Sequence, residues 1–195
     1  IIKKIEEAKN VIDSLKSDPV GELHVVSAHY FTKICLLPYL PQFLQVNPNI
    51  NLTIENSERI PVFAKEKVDI VVGMSIPIKE PDVIQRTIGF TRGVLCASKS
   101  FIEKNKIKKI SDLHKLPYLT HTIRNPDHIL FLRNGEELDF KPYLKFNDSI
   151  SLLEGLKKGL GFGYVLEYVA RHALEKKDVF EIFKEEMPEA FPVYL

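Results

Sequence analysis

Six histidines and two cysteines are the side chains best suited to chemistry in this 195-residue sequence. The histidines are His24, His29, His114, His121, His128 and His172, and none stands in an H-E-x-x-H spacing or a tight Cys/His cluster. Ser27 lies two residues from His29 in "VVSAHY". Nucleophilic catalysis also needs an acid behind the imidazole and an oxyanion hole, and the surrounding sequence signals neither. No G-x-S-x-G elbow occurs. Cys35 ("KICLL") and Cys96 ("VLCAS") stand in apolar runs without a base partner, so each reads as a small buried hydrophobe. Glu136 and Glu137 fall in a hairpin loop, which is no place for a paired-carboxylate site. These residues predict no catalysis, no bound metal and no cofactor.

Glycine is the other residue whose spacing invites a chemical reading. "GLKKGLGFGYVL" carries Gly155, Gly159, Gly161 and Gly163 within nine positions. A phosphate loop runs from strand to glycines to helix, so that the free N–H groups of the helix start face the phosphate. Here the order is reversed: the apolar spacing predicts a helix over 149–158, then the glycines, then a strand. Gly159 fits a left-handed helix end. Gly161 and Gly163 fit a close backbone approach, at a strand edge beside a cavity. The stretch is not a nucleotide loop.

Composition narrows the class further. Apolar residues make up 45% of the sequence and charged residues 27%, with a net charge of +1. That balance leaves no basic footprint for nucleic acid, and the dense run "EKNKIKKI" reads as a solvated face. Two lone cysteines point to a reducing compartment and a cytoplasmic protein. No apolar run approaches the roughly 18 residues of a membrane span. The first residues, "IIKKIEEAKN", are too charged for a signal peptide, and the absence of an initial Met predicts a piece of a longer protein.

The elements that must position these residues alternate in type. Ile1, Ile5, Ala8, Ile12 and Leu15 form a heptad stripe that ends at "SDPVG". "ELHVVSA", "INLTIEN" and "VDIVVGM" read as strands, the last nearly all apolar and so buried on both faces. Between the first two, apolar spacing from Phe31 to Leu44 predicts a helix, bent or starting late because of Pro38 and Pro41. "VIQRTIGFTRGVLCAS" is too long for one strand and reads as two, meeting at a crossing. Later segments give a helix at "KSFIEKNK", a turn at "ISDLHKL" capped by Ser111 or Asp112, and a strand at "PYLTHTIR". A hairpin turning at Asn134-Gly135 and the strand "YLKFN" come next, then a helix capped by Asp148 or Ser149. "GFGYVL", "EYVARHALEKK", "VFEIF" and "FPVYL" close the chain as strand, helix, strand and strand. Alternating strands and helices predict parallel α/β units.

Nearly the whole sequence resembles the effector-binding half of LysR-type transcriptional regulators. The resemblance rests on the order of "SDPVGELHVVSA", "LLPYLPQFLQVNPNINLTIEN", "KEKVDIVVGM", "SDLHKLPYL" and "KFNDSISLLEGLKKGLGFGYVLEYVA". It departs from the family in lacking the N-terminal winged helix-turn-helix, a final helix after Leu195 and the proline common after "GYVL". The resemblance implies two Rossmann-like subdomains joined by two crossover strands, as in periplasmic binding proteins, preceded by a linker helix. Residues 1–18 would end that linker, 21–89 plus 179–195 would form subdomain I, and 90–178 subdomain II. It also implies a small-molecule effector in a cleft, a homodimer or higher oligomer, and DNA contact only through the absent N-terminal part.

Open α/β folds bind ligands at the carboxyl ends of strands. Ser27, His29, Tyr30, Ser57, Thr120, Thr122 and Ser149 are the candidates there, with Phe162 and Tyr164 as walls and Arg92 and Arg124 as possible cations. Hydroxyls and helix starts favour a small carboxylate. The alternative reading is a solute-binding protein of a transporter, against which stand the two free cysteines, the heptad stripe and the lack of an export signal.

Overall fold

In a computed structural model the protein is described over residues 19–59, 61–63, 65–73 and 83–195. The heptad stripe of Ile1–Leu15 lies outside the described residues. The chain divides into two compact units, one within residues 1–74 and one within 75–195.

In the first unit, strand β1 (Gly21–Ser27) begins exposed and ends buried at Val25, Val26 and Ser27. It pairs in parallel with β2 (Ile50–Asn56) along its whole length, from Gly21↔Ile50 to Ser27↔Asn56. Its other side takes β3 (Ile70–Val72), also parallel. The predicted buried strand over 68–74 is therefore a three-residue edge strand, only partly buried. Asp69 is drawn off to the His24 backbone, accepting its N–H at 2.8 Å, and Gly73 turns away at φ +84°.

The prolines break the β1–β2 connection as expected. A single helical turn, α1 (His29–Phe31), runs into a π-helical turn at Thr32–Leu36. The chain breaks over 37–39, and α2 (Leu40–Val46) starts afresh with Pro41 in its first turn, where no N–H is needed.

The second unit is built on a five-stranded sheet. Its strands are β5 (Gly93–Ala97), β6 (Tyr118–His121), β9 (Pro142–Phe146), β10 (Phe162–Leu166) and β11 (Phe180–Glu181), in the order β11-β5-β10-β6-β9. Around it lie α3 (Lys99–Lys104), α4 (Ser149–Lys157) and α5 (Glu167–Glu175). The long extended stretch is two strands, as the sequence predicts, with Arg92 alone between β4 (Thr87–Thr91) and β5. β4 pairs with β12 (Phe191–Tyr194) as an antiparallel ribbon. The hairpin of β7 (Ile129–Phe131) and β8 (Glu137–Asp139) turns through Arg133, Asn134 and Gly135, closed by Leu132 N–H to Glu136 O at 2.9 Å. At "ISDLHKL" neither Ser111 nor Asp112 is the cap. A 3-10 turn opens at Lys109, and Asp112, inside it, reaches back to accept the N–H groups of Lys108 and Lys109.

The glycine stretch explains the sheet order. Gly159 ends α4 at φ +71°. A Cβ on Gly161 would stand 2.3 Å from Pro117 O, and one on Gly163 would stand 2.7 Å from Leu119 O. Both glycines let β10 press against the backbone at β6. The edge position read from the sequence is corrected: β10 is the central strand, antiparallel to β5 and parallel to β6. Beneath it Tyr118, Phe140 and Phe162 pack with ring centroids 5.1–5.5 Å apart.

Overpacking a tight backbone contact costs about 1–3 kcal/mol. Gly161→Ala and Gly163→Ala are each expected to lose stability of that order in urea unfolding, whereas Gly89→Ala, with open space around its Cα, should lose much less.

Candidate functional site

The predicted site residues fall into two groups, each at the carboxyl ends of parallel strands. In the first unit Ser27 ends β1 wholly buried, and its carbonyl accepts Ser57 N–H at 2.9 Å just past β2. Ser57 Oγ accepts Arg59 N–H at 3.3 Å, which turns the chain. His29 and Tyr30 open α1 directly after Ala28, His29 exposed and Tyr30 half-buried. Ser27, His29, Tyr30 and Ser57 thus share one sheet end.

In the second unit Thr120 is buried near the end of β6 and donates its hydroxyl to Asp127 O at 2.9 Å. Thr122 follows, exposed, with its N–H on Phe146 O at 2.8 Å. Ser149 is the first residue of α4. The cap is Asp148, whose carboxylate accepts Ser151 N–H at 2.7 Å. Burial pushes the Asp148 carboxyl up, but the bonds from Ser151 and Ile150 and the nearby His121 outweigh it and hold it below its ordinary range.

Registers Phe162↔Tyr118 and Gly163↔Leu119 put Tyr164 one step further along β10, beside Thr120. Phe162 lies behind it with no exposed surface, packed on Tyr118 and Phe140. Its ring belongs to the core. Tyr164 is half-buried at this end, its hydroxyl pushed up by burial against the opposing pull of Arg124.

Both candidate arginines are already engaged. Arg124 donates to Tyr118 Oη at 2.8 Å and to Ile129 O at 2.7 Å, with its guanidinium 4.8 Å from the Tyr164 ring centre. Arg92 binds Glu181 through both guanidinium nitrogens. These sheet ends carry hydroxyls, backbone N–H groups and aromatic surface, although the Ser27 and Thr120 hydroxyls are buried and each already donates to a backbone carbonyl, of Ala28 and Asp127 respectively.

Two supporting residues escaped the sequence reading. A Cβ on Gly93 would stand 1.6 Å from Tyr164 Cζ, so Tyr164 lies where only glycine permits it. The sequence showed Gly93 as a break in an extended run but not what fills the space. His121, buried at the end of β6, accepts Ile123 N–H on Nδ1 at 3.0 Å.

A separate concavity of about 820 Å³ opens at the other end of β1, lined by residues that include His24, Glu66 and Asp69. One of its carboxylates is firmly paired. Arg59 grips Glu66 at 2.7 and 2.8 Å and, with the Val62 N–H, pulls that carboxyl down to about 2. Among the described residues no group of three or more His, Cys, Asp and Glu side chains is placed to hold a metal ion. No helix among them is long and apolar enough to cross a membrane.

Residues 16–195 match the LysR substrate binding domain. The chain belongs to that family. It is 25% identical over 174 residues to an uncharacterized HTH-type transcriptional regulator, y4mQ, of Sinorhizobium fredii, covering 87% of this chain and 57% of the relative. The chain thus spans little more than half of that relative. In fold it is similar to the regulatory domain of CrgA, a LysR-type transcriptional regulator from Neisseria meningitidis, with a TM-score of 0.78 at 19% identity over 90% of this chain and 88% of that one. It is also similar to the full-length Vibrio cholerae virulence activator AphB, with a TM-score of 0.77 at 16% identity over 99% of this chain and 67% of that one. The two-part, periplasmic-binding-protein-like α/β fold of LysR regulatory domains is therefore the fold of this chain.

The thiol nearest these elements is inert. Cys96 has no exposed surface, and burial, with Glu181 nearby, pushes its thiol up to about 12. Iodoacetamide at pH 8 is expected to leave Cys96 unmodified in the folded protein and to alkylate it in urea, as read by peptide mass spectrometry.

Proposed function

We propose that this chain is the effector-binding part of a bacterial LysR-type transcriptional regulator and that its effector is a small carboxylate. The observation that carries the reading is the pair of polar groups at strand carboxyl ends: Ser27, His29, Tyr30 and Ser57 in one unit, Thr120, Thr122, Ser149 and Tyr164 in the other. The proposed subdomains, 21–89 plus 179–195 and 90–178, each contribute one group. Phe162 drops out of the proposed site because it is core. The regulator is cytoplasmic and not an enzyme, and it reaches DNA through a part outside this sequence. The family match favours this reading over a transporter's solute-binding protein.

Recognition in this reading rests on hydroxyls and N–H groups, because Arg92 and Arg124 are engaged. A ligand at a hundredfold over its Kd stabilises a fold by about 2.7 kcal/mol. In a thermal-shift screen of metabolites, carboxylates are expected to raise Tm, and Ser27→Ala and Ser149→Ala to weaken that rise without unfolding the protein. Binding of cations or neutral sugars alone, or unchanged responses in both variants, contradicts the proposal.

The proposed oligomer has a surface to form on. From Ile34 to Ile54 the sequence holds no charged residue, in a chain that is 27% charged. Within that run Leu37, Tyr39, Leu44 and Val46 are exposed, and β2 is an edge strand. A two-fold axis sets a patch against a second copy, where like charges would repel and apolar residues do not. Light scattering is expected to show a dimer or larger rather than the 22.4 kDa monomer, and Val46→Lys or Leu44→Glu to shift it to monomer. A parent that stays monomeric at every concentration, or charged variants that associate like the parent, contradicts this surface.

A further inference from the structure

Among the described residues two chain passages join the β4–β12 ribbon to the five-stranded sheet, and they differ. On the return side the chain is anchored in the core by Ile182 and Met187. Arg133 also ties this side down, its N–H bonding Glu186 O at 2.8 Å and its Nε bonding Met187 O at 3.1 Å. Only residues 188–190 then lead to β12. On the outgoing side a single residue, Arg92, separates β4 from β5.

The ribbon's principal packing is strand on strand. It presents an apolar face to solvent, with Phe90 73% exposed and Ile88 47% exposed. A two-stranded ribbon is marginal on its own, so its root must supply order. The Thr91 hydroxyl there is buried with no hydrogen-bond partner among the described residues. Arg92 carries the polar contacts instead. Its guanidinium donates to both oxygens of Glu181 on β11, and Nη2 stands 3.7 Å from Glu167 at the start of α5. Its carbonyl accepts Glu167 N–H at 2.9 Å. The side chains of Arg92 and Glu181 are only 22% and 16% exposed, so solvent screens the pair weakly. A planar guanidinium on a carboxylate fixes direction as well as distance, which an ammonium does not.

We infer that Arg92 is a positioning residue whose bidentate grip on Glu181 clamps the root of the β4–β12 ribbon to the five-stranded sheet and sets the ribbon's resting position. In the sensing role proposed above the clamp couples the ribbon's root to β11 and α5. The inference rests on that role only for this consequence. The clamp itself is a property of the unliganded chain.

The test is hydrogen–deuterium exchange by mass spectrometry on the unliganded chain, comparing parent, Arg92→Met, Arg92→Lys and Glu181→Gln. In Arg92→Met, amides of 87–91 and of Phe191, Val193 and Tyr194 are expected to exchange roughly tenfold faster, the scale of local opening after loss of a partly buried ion pair. Amides of β5, β6 and β10 should keep their parent rates. Glu181→Gln should reproduce the pattern. Arg92→Lys should fall between, because it keeps the charge and loses the fork, and it tests the inference if Arg92→Met does not fold. Parent-like ribbon exchange in Arg92→Lys and Glu181→Gln overturns the clamp. So does acceleration spread evenly over the five-stranded sheet, which would make Arg92 an ordinary stabilising residue. Either failure leaves the proposed sensing role standing, since no ligand is present.

Discussion

The second unit depends on the backbone contact between β10 and the chain at β6. With Gly161 and Gly163 lying against the carbonyls of Pro117 and Leu119, the central strand sits where side chains would not fit. From that contact follow the register of Phe162 on Tyr118, the aromatic stack with Phe140, and the place of Tyr164 beside Thr120. Gly93 extends the same constraint, since Tyr164 occupies the space its Cβ would take. The glycines that resemble a phosphate loop thus act through packing. They bring an aromatic side chain to the end of a parallel strand, and Arg124 holds it there through Tyr118 and Ile129.

The engagement of both arginines shapes the kind of recognition this unit can offer. Charge complementarity from a free guanidinium would favour any anion. Hydroxyls and N–H groups on rigid strand ends discriminate by geometry instead, because a ligand lacking the right acceptor leaves them unpaired. Binding of that sort is selective rather than merely electrostatic, and weakly dependent on salt.

Much of this architecture was legible because local chemistry and tertiary packing agree. Pro38 and Pro41 break the first connection wherever it packs. Gly159 ends a helix, and the extended stretch through Gly89 and Gly93 divides at Arg92. The readings that failed concern burial and partner choice, which periodicity does not encode. "VDIVVGM" looks like a central strand, yet Asp69 and Gly73 shorten it to an edge. Phe162 and Tyr164 share one face of one strand, and only the packing of Phe162 on Tyr118 and Phe140 marks it as core. Asp148 and Ser149 are equally good caps on paper, and the chain direction into α4 decides for Asp148. Arg92 and Arg124 read as ligand cations because the partners that occupy them lie on elements distant in sequence or across a loop.

The proposed effector is a small carboxylate bound at the strand carboxyl ends. Amide chemical shifts test it most directly, in an isotopically labelled chain titrated with the carboxylates that bind. The account predicts saturable shifts concentrated at Ser27–Tyr30, Ser57, Thr120–Thr122 and Ser149, with residues of the concavity at Glu22–His24 and Lys65–Asp69 unmoved. Shifts confined to that concavity, or scattered without saturation, would contradict it.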